Sequence, residues 1–207
     1  MTSDLPLDEH ARAQGIDVER RRWLTLTSMA GAAAAAATAV PFVSSFAPSE
    51  RAKAAGASVE VDISSLAPGE LKVVEWRGKP VWIMHRTPEQ LAELEQIPGL
   101  ADPASNRSDQ PDYAKNTQRS IRPEVLVAVG ICTHLGCSPV NVAQGSANTS
   151  VPAGWSGGFL CPCHGSTFDL AGRVFANKPA PTNLEIPPHF YLDDSKLLIG
   201  EDQPAKA

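Results

Sequence analysis

All four cysteines and two of the five histidines fall in two six-residue stretches, Cys132-Thr133-His134-Leu135-Gly136-Cys137 and Cys161-Pro162-Cys163-His164-Gly165-Ser166. Thiols and imidazoles ligate soft and borderline metals, and thiols also pair as disulfides. Three chemistries are open to such a set. Two disulfides suit an oxidising compartment, but they leave His134 and His164 without a role. A tetrahedral zinc site of two cysteines and two histidines is chemically sound, but it leaves one cysteine in each stretch unused. An iron–sulfur centre with mixed thiolate and imidazole ligands, beside one disulfide, employs all six residues.

Each stretch follows a segment that can hold it still. VLVAVGI (125–131) is an apolar run of buried-strand type that delivers the chain into the first stretch, and GGFLC (157–161) leads into the second. Further strands are expected at VEVDI (59–63), LKVVEW (71–76), PVWIMHR (80–86), RVFA (173–176), HFYL (189–192) and KLLIG (196–200). Arg77-Gly78-Lys79 reads as the turn between the second and third, and Asp193-Asp194-Ser195 as the turn before the last. Thr87, Pro88 and Gln90 supply an N-cap, a first-turn proline and a capping box for one short helix, continued by LAELEQI (91–97) and stopped by Pro98-Gly99. Residues 98–123 form a polar insertion long enough for a functional role to be considered. The expected architecture is mainly β: a small antiparallel domain whose two Cys/His loops meet at its tip. His85, at the end of an apolar strand, reads as a satisfied structural histidine, whereas His10 and His189 read as surface groups. Trp76 and Trp82 fall in strands, Trp155 in a loop and Trp23 at a membrane boundary.

The N-terminal region is of another kind. Residues 23–46, WLTLTSMAGAAAAAATAVPFVSSF, carry no charge, and as a helix they would extend about 36 Å, enough for a hydrocarbon core of roughly 30 Å. Glu19-Arg20-Arg21-Arg22-Trp23-Leu24 before it looks like a twin-arginine (Tat) export signal, which passes folded proteins across a bacterial inner membrane. Arg12, Arg20, Arg21 and Arg22 would hold the N-terminus on the cytoplasmic side. Small-residue cleavage sites around Ala52–Ala57 leave removal of the segment open. The expected division is a cytoplasmic tail at 1–22, a transmembrane helix at 23–46, an alanine-rich flexible hinge at 47–57, and a periplasmic domain at 58–207. A net charge of −5 without a basic stripe argues against nucleic acid as a partner.

The two Cys/His stretches match, residue by residue, the paired motifs C-x-H-x-G-C and C-x-x-H-G-S of the Rieske iron–sulfur proteins. The matching positions are Cys132, His134, Gly136 and Cys137, then Cys161, Cys163, His164, Gly165 and Ser166. The resemblance implies one [2Fe–2S] cluster, ligated by Cys132, His134, Cys161 and His164, and a disulfide between Cys137 and Cys163. Neutral imidazoles on one iron raise the potential of such a centre to roughly −150 to +300 mV. Reduction places negative charge beside those imidazoles and favours their protonation, so electron and proton uptake are coupled. By the same resemblance Ser166 donates its hydroxyl to a bridging sulfide. Many relatives carry a tyrosine two residues later, where this chain has Phe168, and a lower potential is expected here.

Soluble Rieske ferredoxins and ring oxygenases usually lack the disulfide cysteines and the anchor. With both present, the chain is similar to the iron–sulfur subunits of bacterial cytochrome bc1 complexes. Arg122-Pro123-Glu124 and Lys178-Pro179-Ala180-Pro181 share in the likeness, although mitochondrial relatives usually have glycine where Lys178 stands. The resemblance implies a ubiquinol-oxidising, proton-translocating membrane complex, dimeric, with cytochrome b, a c-type cytochrome and membrane lipid as partners. His164, together with His134, would meet ubiquinol as the catalytic residue, and Leu135 would cap the cluster and enter the docking surface. The hinge would let the domain swing between the two cytochromes. The alternative is another exported Rieske subunit, such as the small subunit of arsenite oxidase.

Overall fold

The computed structural model describes residues 17–49 and 56–202. The tail 1–16 and the hinge segment 50–55 lie outside the described residues. The chain divides into two units, residues 1–53 and 54–207.

Among its described residues the first unit holds one helix, α1 (Val18–Ser45), long and apolar enough to cross a membrane. It starts five residues ahead of the expected span, because Asp17 caps it by accepting the Arg20 N–H at 3.0 Å. Arg20, Arg21 and Arg22 are therefore helical rather than part of an irregular tail. Five of its hydroxyls are satisfied within the helix: Thr25, Thr27, Thr38, Ser44 and Ser45 each donate to a carbonyl three or four residues back. That is the arrangement a helix in lipid requires, where water cannot take those protons.

Among its described residues the second unit contains three antiparallel sheets of three strands each. They are β1 (Val59–Asp62), β9 (Lys196–Ile199) and β8 (His189–Tyr191); β2 (Leu71–Trp76), β3 (Lys79–His85) and β4 (Val125–Val129); and β5 (Val140–Val142), β6 (Gly158–Leu160) and β7 (Thr167–Phe168). The turn between β2 and β3 is tighter than expected. Lys79 already pairs with Trp76, leaving Arg77 and Gly78 as a two-residue loop with φ of 52° and 71°, the conformation that matches strand twist.

β3 and β4 are buried on both faces, which explains the unbroken apolar run of β4. Val81, Ile83, Val125, Val127 and Val129 face one core cluster with Val61, Trp76, Leu197 and Ile199. The alternating residues Trp82, Met84, Leu126 and Ala128 face the other, with Phe159, Phe168, Leu184, Ile186, Cys132 and Cys161. The second cluster therefore runs directly beneath the two Cys/His loops. The short helix α2 (Pro88–Leu94) forms with the full Thr87–Gln90 capping box, ends three residues earlier than expected, and lays Leu94 into the same cluster.

Two expectations require correction. His189 is not a surface group: it is 1% exposed, with Nδ1 2.8 Å from the Pro187 carbonyl and its ring edge-on to Tyr113. RVFA (173–176) makes only isolated bridges, Phe168 with Val174 and Leu100 with Phe175, because the Asn183 side chain takes the Val174 N–H. The insertion 98–123 is fastened to the core. Its Arg119, fully buried, donates to the carbonyls of Ala171, Gly172 and Leu184. His85 is the satisfied histidine expected, with Nδ1 2.8 Å from the Leu66 carbonyl.

Buried charge stiffens the segment that follows the second loop. Asp169 is fully buried and accepts from the Ala171 and Arg173 backbone N–H groups, both at 2.8 Å, and from Arg173 Nε at 2.6 Å. Arg86 and Arg119 are buried nearby, and burial lowers both to about 10, so they remain cationic at neutral pH.

Candidate metal centre

The two loops are built alike. In the first, the Cys132 N–H donates to the Cys137 carbonyl at 2.8 Å, and the Gly136 N–H to the Cys132 carbonyl at 3.0 Å. In the second, the Cys161 N–H donates to the Ser166 carbonyl at 2.7 Å, and the Gly165 N–H to the Cys161 carbonyl at 3.0 Å. The fifth residue of each turns left-handed, with φ of 83° at Gly136 and 75° at Gly165, which a side chain would resist. The shared C-x-x-x-G spacing is visible in the sequence, and it marks the two stretches as structural equivalents.

β4 feeds the first loop, and β6 and β7 form the hairpin that closes the second, with Leu160 opposite Thr167. The Cys137–Cys163 disulfide joins the loops. Cys132 and Cys161 remain as free thiols, each 2% exposed. They are neighbours: burial pushes the Cys132 thiol up, and contact with Cys161 pushes the same way, against the His134 N–H and the Ser166 hydroxyl. The imidazoles of His134 and His164 stand edge to face with centroids 4.9 Å apart, one from each loop. Leu135, the residue after His134, is 73% exposed.

Ser166 is buried, and its Oγ accepts the Ala180 N–H at 3.0 Å. With that acceptor role taken, its own proton is free to be donated into the space beside Cys132. The sequence reading missed this latch and a second one, Thr133 Oγ1 donating to the Thr182 carbonyl at 2.7 Å. Together they fix the proline segment 178–182 over both loops. The hydroxyls of Thr133 and Ser166 inside the motifs were the available clue.

The donor set decides between the chemistries. Two disulfides are not formed, since Cys132 and Cys161 are unpaired. The sulfurs of Cys137, Cys161 and Cys163 lie within 4.8 Å of one another, but this trio is no metal site, because two of its members are bonded to each other. What remains is two thiols at the buried end and two imidazoles at the solvent end, supplied pairwise by equivalent loops. That set fits a dinuclear centre with one sulfur-ligated and one nitrogen-ligated iron.

Comparison with known proteins agrees. Residues 59–188 match the Rieske [2Fe-2S] domain family, so fold and site define a Rieske domain. Residues 11–49 match the Tat signal of ubiquinol–cytochrome c reductase Fe–S subunits. The ubiquinol-cytochrome c reductase iron-sulfur subunit of Allochromatium vinosum is 58% identical over 92% of this chain and 93% of its own length. The subunit of the same name from Rhodospirillum rubrum is 41% identical over 93% of this chain and 98% of its own. A chain of a hyperthermophilic respiratory Complex III is 27% identical, with a TM-score of 0.45 over 84% of this chain and 98% of that one. The chain belongs to the family of ubiquinol–cytochrome c reductase iron–sulfur subunits, and its cofactor is the Rieske-type [2Fe–2S] cluster.

Proposed function

We propose that this chain is the electron-transfer subunit of a ubiquinol–cytochrome c reductase, with Cys132, His134, Cys161 and His164 as the cluster ligands. One observation carries the assignment of residues: the two free buried thiols and the two facing imidazoles converge at one disulfide-tied tip. The bound cluster supplies a one-electron acceptor at a potential high enough to take electrons from a quinol.

The chain's own residues then set how quinol is met. His164 is exposed and His134 half-exposed, so a ring nitrogen of His164 accepts a hydrogen bond from the quinol hydroxyl and takes its proton as the electron leaves. Leu135 offers an apolar surface for docking against cytochrome b and excludes water from the cluster. Ser166, held by Ala180, stabilises added negative charge by hydrogen bonding. Helix α1 anchors the chain in the bacterial inner membrane, with the N-terminus cytoplasmic and the Rieske domain periplasmic. The hinge 47–57 carries the domain from cytochrome b to the c-type cytochrome within a dimeric complex.

Membranes carrying His164→Gln test the assignment. Ubiquinol-dependent reduction of cytochrome c should fall at least a hundredfold, while the chain still accumulates in the membrane. Retention of more than a tenth of the activity contradicts the role given to His164 (both thresholds are order-of-magnitude expectations for losing a required proton acceptor).

A further inference from the structure

The disulfide has a third sulfur beside it. Cys161 Sγ lies within 4.8 Å of both Cys137 Sγ and Cys163 Sγ, and Cys161 carries a free thiol. A cysteine side chain has one torsion to turn, so closing that gap needs a rotamer adjustment rather than a backbone rearrangement. Cys132, the other free thiol, is not a member of this trio. Cys132 adjoins Cys161 without belonging to the group that includes the disulfide, so exchange is assigned to the other three.

We propose that, whenever Cys161 is not ligating the cluster, it exchanges into the neighbouring disulfide, so that cluster loading is what preserves the Cys137–Cys163 pairing. The inference rests on Cys161 being a cluster ligand, as proposed above. In the exchange the Cys161 sulfur attacks Cys137 Sγ. A Cys161–Cys137 bond forms, the Cys137–Cys163 bond breaks, and the proton given up by Cys161 ends on the departing Cys163 sulfur. One disulfide and one thiol are present before and after, so no external oxidant or reductant enters. Cys163 is the preferred leaving sulfur because it is exposed and solvated, whereas Cys137 is half-buried. The product still ties one loop to the other. Cys161 can no longer bind iron, so a chain that loses its cluster in an oxidising compartment becomes unable to take up another.

Disulfide mapping of the full-length chain in detergent tests this. The chain is isolated with its cluster, confirmed by iron and sulfide content and by paramagnetic resonance, then stripped anaerobically with an iron chelator. After incubation it is quenched in acid, labelled with a maleimide in denaturant, digested and read by mass spectrometry. The loaded chain should show Cys137–Cys163 alone. Since one disulfide is traded for another, on the order of a tenth to a half of the stripped chains should carry Cys137–Cys161 with the label on Cys163. Cys132→Ser, which cannot hold the cluster but keeps Cys161, should show the same exchange. Cys161→Ser should keep Cys137–Cys163 fully intact. Stripped chains that retain Cys137–Cys163 with Cys132 and Cys161 both fully labelled overturn the proposal. So does exchange that frees Cys137 instead of Cys163. A chain isolated without iron and sulfide overturns the ligand assignment instead, which the metal analysis reports independently of the map.

Discussion

The disulfide closes a segment of 26 residues between Cys137 and Cys163, and its effect on stability follows from that length. Cross-linking a chain removes loop-closure entropy from the unfolded ensemble, and the standard relation for a loop of this size gives about 3.5 kcal/mol at 25 °C. The perturbation is reduction of this one bond in Cys132→Ser/Cys161→Ser, a cluster-free chain in which Cys137 and Cys163 are the only cysteines. Cys163 is an exposed residue, so a reductant should reach the bond without unfolding, and the backbone hydrogen bonds within each loop do not depend on it. Urea unfolding in detergent, followed by fluorescence of Trp76, Trp82 and Trp155, gives the stability of the oxidised and reduced forms. The reduced form should be about 3–4 kcal/mol less stable, with a melting temperature lower by about 7–14 °C for a domain of this size. A difference below about 1 kcal/mol would refute the reasoning, since it would mean that the unfolded chain already keeps the two loops together.

Four further outcomes follow from the packing and charges. Gly130 lies two residues before Cys132, and a methyl group there would overlap the Trp82 indole, which stacks on Phe159 at 4.6 Å; Gly130→Ala should cost about 1–3 kcal/mol, and the penalty should shrink by at least about 1 kcal/mol when Trp82 is Leu, as a double-mutant cycle would show. Asp169→Asn leaves Arg173, Arg119 and Arg86 buried without their shared carboxylate, and it should lower stability by about 3–5 kcal/mol in urea unfolding. Burial holds the His189 imidazole below its ordinary value, against the pull of the Pro187 carbonyl. The unfolded chain then binds a proton near pH 6.5 that the folded chain refuses. Stability should be full above that pH and fall by up to about 1.4 kcal/mol per unit below it, a slope that His189→Asn should reduce. Phe168→Tyr places a hydroxyl in a fully buried position two residues after Ser166 and should raise the midpoint potential in voltammetry; an unchanged or lower value contradicts the expectation.

What could be read from the sequence was whatever depends on local pattern. The β4 run, the Thr87 capping box and the two Cys/His motifs are each specified by neighbours along the chain, and each appears where expected. What could not be read depends on partners far away. His189 looks exposed beside two prolines until Tyr113, 76 residues earlier, brings its hydroxyl to the His189 N–H at 2.8 Å. RVFA has strand composition, but Asp169 folds it back through the Ala171 and Arg173 N–H groups and Asn183 claims Val174. The Ala180 and Thr182 latches span 14 and 49 residues, beyond any periodicity. The Cys137–Cys163 pairing came from family resemblance, since spacing alone does not say which two of the four cysteines pair.

Low-temperature paramagnetic resonance of reduced membranes, compared between the wild-type chain and single Cys132→Ser, His134→Gln, Cys161→Ser and His164→Gln variants, probes the proposed site itself. The wild type should give a rhombic [2Fe–2S] signal that shifts when a quinone-site inhibitor is added and disappears in all four variants. A signal that survives in any of the four, or one indifferent to the inhibitor, would contradict it.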